Sequence, residues 1–159
     1  MVKMYRKILI PLDGSELAEC SLEHAKAIAQ GCNVADVIVF RVIEPPSTQT
    51  LEALAEAGDD GVRKAERQNK QAARDYVSKV ENNLKTQGIA SRSVTAEGGA
   101  AEEILSYSEK TNIDLIIMST HGRSGLSRFL FGSVAEKVSR HSHVPVLIIS
   151  PEGCRTFAP

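Results

Sequence analysis

Apolar residues arrive along this chain in short unbroken runs, separated by stretches with helical spacing. The first run, Ile8-Leu-Ile-Pro-Leu12, reads as a strand and ends at the turn signal Asp13-Gly14. Pro11 sits near its end, where a lost N–H matters least. Ser15 can cap the helix that follows. In that helix Ala18, Leu22, Ala25 and Ala29 recur at four, three and four, which makes one apolar face. Gly31 is placed to stop it as a C′ glycine. Val37-Ile-Val-Phe-Arg-Val-Ile43 is the second strand. Strand, helix and strand in this order form the unit that builds a parallel sheet.

Glu44-Pro-Pro46 ends the second strand. Residues 47–61 are mixed: Leu51 and Leu54 suggest a helical piece, and Gly58-Asp-Asp-Gly61 breaks it, so a mobile insert near the top of the sheet is expected. A longer helix follows, with Val62, Ala65, Ala72, Tyr76, Val80 and Leu84 at helical spacing and its many charged residues on a solvated face. Thr86-Gln-Gly88 ends it. Residues 90–96 form the most polar strand, which suits a sheet edge. Gly98-Gly99 turns the chain into a helix carrying Ala101, Ile104 and Leu105. Strands alternating with helices throughout predict an α/β fold.

The most informative stretch runs from Ile113 to Ile149. Ile113-Asp-Leu-Ile-Ile-Met118 has the near-continuous apolar character of a strand buried on both faces. A loop of Gly, Ser, His and Arg follows, and Gly132-Ser133 opens a segment with helical spacing. Small residues let a backbone come close to a ligand, and the free N–H groups of a helix start favour negative charge. Ser133 and Glu136 have the spacing of a capping box. Arg123 and Arg128 either reach a phosphate or face solvent. The stretch closes on the strand Val144-Pro-Val-Leu-Ile-Ile149.

Ser119-x-x-Gly122, nine residues, then Gly132-Ser133 resembles the nucleotide loop of the universal stress protein family. Lys7 to Ser15 resembles that family's first strand and turn, and Val144 to Ile149 its last strand. One position departs: the family's first loop glycine is Ser119 here. The resemblance implies an open five-stranded parallel sheet in the order 3-2-1-4-5, Rossmann-like, with helices on both faces. Residues 1–150 would form a single domain and residues 151–159 a flexible tail. It further implies an ATP site, with AMP or ADP as other adenine ligands, and Mg²⁺ or Mn²⁺ held mainly by the phosphates. Asp13 would accept from ribose hydroxyls or help hold the ion through water. Pro11, Leu12 and Val42 would flank the adenine, and Met118 would touch base or ribose. Ser119, Gly122, Gly132, Ser133 and Val134 would offer amides to phosphate, with His121 and Arg123 at the phosphate edge. A homodimer through Val144–Ile149 is also implied, and a role as a stress-response sensor or switch. Ser119 keeps a second reading open, a dimeric interaction module of the same family that binds no nucleotide.

Composition narrows the classes further. Charged residues are 25% and the net charge is −1, so no global field draws the chain to DNA or to a membrane surface. Aromatics are 4% without Trp, a poor base-stacking surface. No apolar run approaches the roughly 20 residues of a membrane span. Cys20, Cys32 and Cys154 lack a Cys-x-x-Cys pair and suit free thiols in the cytoplasm. No P-loop and no Gly-x-Gly-x-x-Gly is present. His121 has no orienting partner for a triad, and His141 and His143 lack further zinc ligands. No catalytic residue is therefore assigned, and slow turnover is the most that is expected of any hydrolysis.

Overall fold

A computed structural model of the chain describes residues 4–55, 58–120 and 132–150. Five parallel strands form one sheet: β1 (Lys7–Pro11), β2 (Asp36–Ile43), β3 (Ser91–Glu97), β4 (Leu115–Ser119) and β5 (Val146–Ile149). Their order is β3-β2-β1-β4-β5, as the resemblance implied. β1 is the centre: Leu9 pairs with Ile38 on one side and Ile116 on the other. Ile8, Leu9 and Ile10 are fully buried, which is why this run carries no polar residue.

Side chains alternate across a strand, so neighbours in the same run serve different cores. Ile8, Ile10, Val37 and Val39 pack toward α1 (Glu16–Gly31) and α3 (Gly58–Thr86), meeting Ala18, Ala25, Val77 and Leu84. Leu9, Ile38, Phe40 and Ile116 pack toward α4 (Ala100–Lys110) and α5 (Ser133–His141), meeting Ala101, Ile104, Ala135 and Val138. Fully burying each large aliphatic side chain contributes about 1.5–3 kcal/mol, so the two cores together set the layer order.

Several boundaries differ from the sequence expectation. Ser15 does cap α1, its hydroxyl accepting from the Ala18 amide at 3.1 Å. Gly31, however, is still helical, and the left-handed position falls on Asn33, at φ 50°. Asn tolerates that region better than other non-glycine residues, so glycine is not required there. Residues 47–61 are more helical than expected. They hold α2 (Thr48–Ala55), and α3 starts at Gly58, with Gly61 inside it. The buried stripe of α3 is Ala73, Val77, Val80 and Leu84, while Ala72 faces solvent. A strict spacing of four drifts round a helix of 3.6 residues per turn, whereas the spacing four, three, four stays on one face.

β3 lies at one edge, as its polarity suggested, and β5 at the other. β5 begins at Val146 because Pro145 has no N–H to give, although its carbonyl accepts from Ile116 at 3.0 Å. Cys20 is disulfide-bonded, so the expectation of free thiols does not hold for it. Cys32 is free. The tail after Ser150 lies outside the described residues.

Candidate functional site

From β1 the chain crosses to β2 on one side, while β4 pairs with β1 on the other. This is the switch point at which open parallel sheets form ligand crevices beyond their carboxyl ends. A cavity of about 330 Å³ opens there. Pro11, Leu12 and Asp13 line it from the end of β1, and Met118, Ser119 and Thr120 from the end of β4. Val42 lines it from β2, and Gly132, Ser133 and Val134 from the start of α5. Nine of the twelve site residues expected from sequence thus meet in one cavity. His121, Gly122 and Arg123 lie outside the described residues.

Each wall has a local cause. Leu12 is drawn in by its amide, which donates to the Phe40 carbonyl at 2.8 Å, and its side chain is buried. Asp13 follows directly and accepts from the Ser15 amide through Oδ1 at 2.9 Å. The next residue, Gly14, sits at φ 85°, a conformation that L side chains rarely adopt. Asp13 is therefore held at the mouth by the same turn that starts α1. Met118 is buried at the end of β4 and makes the apolar floor with Leu12 and Val42.

The capping box expected at Ser133 and Glu136 is not formed. Gly132 is the N-cap, at φ −55° and ψ 148°, and Ser133 is the first helical residue. Glu136 pairs with Arg140 at 3.0 Å instead of reaching back. The cause is a bond from the Gly132 amide to the Thr120 carbonyl at 2.6 Å, which sets Gly132 in the extended conformation that precedes a helix. That bond also overturns the expectation that Gly132 offers its amide to phosphate. The first bond within α5 runs from the Glu136 amide to the Gly132 carbonyl at 2.9 Å. The amides of Ser133, Val134 and Ala135 are then left without intrahelical partners, and the N-cap Gly132 has no side chain to cap them. All three residues line the cavity. With the positive end of the helix dipole, they suit an anion.

Sequence reasoning missed Arg41, Glu44 and Asn69, all of which line the same cavity. Arg41 left one readable signal, a charge inside an otherwise apolar strand. Asn69 left none, because only the placement of α3 brings it near. His141 ends α5, with Nδ1 at 2.9 Å from the Lys137 carbonyl. Among the described residues no group of three His, Cys, Asp or Glu could hold a metal ion.

A family model described as the universal stress protein family matches residues 4–150. The chain belongs to that family. It is similar to the universal stress protein MJ0531 of Methanocaldococcus jannaschii, with 34% identity over 92% of this chain and 82% of the relative. Among solved structures it is similar to MJ0577 of the same organism, at TM-score 0.77 and 31% identity, covering 92% of this chain and 96% of the other. A more distant universal stress protein, solved in complex with cAMP, shares the fold at TM-score 0.56 and 21% identity, over 92% of this chain and 97% of that one. As in those relatives, the five-stranded parallel sheet is the frame. In this chain the start of α5 and Asp13 line one cavity.

Proposed function

We propose that this family member binds an adenine nucleotide in the cavity, ATP with Mg²⁺ or Mn²⁺ first, and serves in the cytoplasm as a dimeric stress-response switch. The observation that carries the reading is the convergence of three groups on one cavity. They are the amides of Ser133, Val134 and Ala135, which have no intrahelical partner, the Asp13 carboxylate, and an apolar floor of Leu12, Val42 and Met118. Such a set matches the three parts of a nucleotide: the helix start suits phosphate, the carboxylate suits ribose hydroxyls, and the floor suits a base. The cavity volume of about 330 Å³ lies in the range of small-molecule sites. The cAMP complex of the distant relative supports the same ligand class.

Asp13 is the residue that would help hold a divalent ion, through water, with the phosphates as its main ligands. No residue is assigned as a base for water, and slow hydrolysis at most is expected. The proposed dimer rests on β5, which among the described residues pairs with β4 alone and forms the sheet edge.

Thermal melting with and without Mg-ATP tests the proposal. At about 100 times Kd the ligand adds roughly 2.7 kcal/mol of stability. Melting that is unmoved by millimolar ATP, AMP and adenosine overturns it and leaves the interaction-module reading in its place.

A further inference from the structure

Outside the groups assigned above, one connected set of polar side chains reaches the cavity. Arg41 lines it from β2. Its guanidinium carbon stands 5.2 Å from the centroid of the Tyr76 ring on α3, within cation–π range. The Tyr76 hydroxyl donates to Glu19 Oε1 on α1 at 2.9 Å, which fixes the ring. Burial, with the Glu19 hydrogen bond after it, pushes the Tyr76 hydroxyl well above the usual tyrosine range. On its other side the guanidinium covers Gly14: a Cβ built on Gly14 would stand 2.5 Å from Arg41 Nη1. Gly14 is the residue after Asp13. The set thus ties α1, α3 and β2 to the turn that carries the sugar-facing carboxylate.

We propose that Arg41 is a specificity-determining positioning residue, which holds the Asp13–Gly14 turn so that Asp13 discriminates ribose from deoxyribose, and that Tyr76 holds Arg41 in place. The inference rests on the nucleotide reading above. With one Asp13 oxygen taken by the Ser15 amide, the carboxylate has limited freedom to find a sugar hydroxyl. A cation lying on the adjacent residue restrains the turn from swinging outward. Among the described residues lining the cavity, Arg41 is the one basic side chain, beside the acidic Asp13 and Glu44.

The test is the affinity of the full chain for ATP and for 2′-deoxy-ATP, measured by calorimetry on wild type, Arg41→Met, Tyr76→Phe and Tyr76→Leu. Wild type should prefer the ribonucleotide by about tenfold, the scale of one hydrogen bond to a charged group. Arg41→Met should bring that preference to within about twofold while changing 2′-deoxy-ATP affinity little. Tyr76→Phe keeps the ring and should keep the preference, whereas Tyr76→Leu should lose it. A merely structural role would weaken both nucleotides together, and that result overturns the assignment. So does a wild type that binds both nucleotides equally, which leaves the nucleotide reading intact. A wild type that binds neither removes both.

Discussion

The Gly132 amide donates to the Thr120 carbonyl at 2.6 Å, joining the end of β4 to the start of α5. The bond spends the one loop-glycine amide, among the described residues, that the sequence pattern had assigned to phosphate. It also leaves the next three amides, of Ser133, Val134 and Ala135, as those without an intrahelical partner. A cavity lined by both strand end and helix start follows from that junction.

Ser133→Pro separates ligand binding from folding. Proline is favoured at the first helical position, where its missing N–H leaves no intrahelical bond unmade. Gly132 at ψ 148° already has the extended conformation that a following proline demands. The variant should melt within a few degrees of wild type. It loses one amide and one hydroxyl, so ATP affinity should fall about tenfold or more, roughly 1.4 kcal/mol. Unchanged affinity in calorimetry would remove the α5 start from the site.

A pair of variants tests the register of α3. Ala73 is 2% exposed, while its neighbour Ala72 faces solvent. Ala72→Glu should change stability by no more than about 0.5 kcal/mol. Ala73→Glu places a charge against Val77 and the sheet and should destabilise by about 3 kcal/mol or more. Urea denaturation midpoints read the difference, and the reverse ranking would mean that the helix is turned by one residue.

Glu81 gives a pH-dependent contribution. Partial burial raises its carboxyl, but hydrogen bonds from Lys85 and Ser93 outweigh this and hold it below the usual carboxylate range. A depressed folded value contributes stability that is present above the unfolded value and lost as pH falls through the folded one. Wild type should therefore be more stable than Glu81→Gln at about pH 7, with the gap closing below about pH 4. Denaturant midpoints at both ends of that range show it, and a gap that widens in acid contradicts it.

A lysine substitution on β5 tests the proposed dimer. Ile148 is half-buried on β5, which among the described residues is paired by β4 alone. Ile148→Lys puts a charge on that edge, a device by which sheets avoid pairing with other chains. Light scattering should show wild type as a dimer and the variant as a monomer. A variant that remains dimeric would move the interface elsewhere.

The pattern of residues by itself determined the alternation of strands and helices and the buried character of the run Ile8–Ile10. These are consequences of local chemistry: buried strands read as apolar runs, and helix faces as spaced apolar residues. The grouping of Asp13, Ser119, Ser133 and Val134 came from resemblance. The order β3-β2-β1-β4-β5 came from resemblance, because apolar runs do not say which of them pair. Tertiary structure alone decided the rest. Gly132, not Ser133, became the N-cap because a carbonyl twelve residues earlier claimed its amide. Ala73, not Ala72, became core because the sheet selects which side of α3 it covers. Arg41 and Tyr76, 35 positions apart, met over Gly14 only once β2 and α3 had packed on the same side of β1. Contacts of that kind depend on the relative placement of elements, which spacing along a chain does not encode.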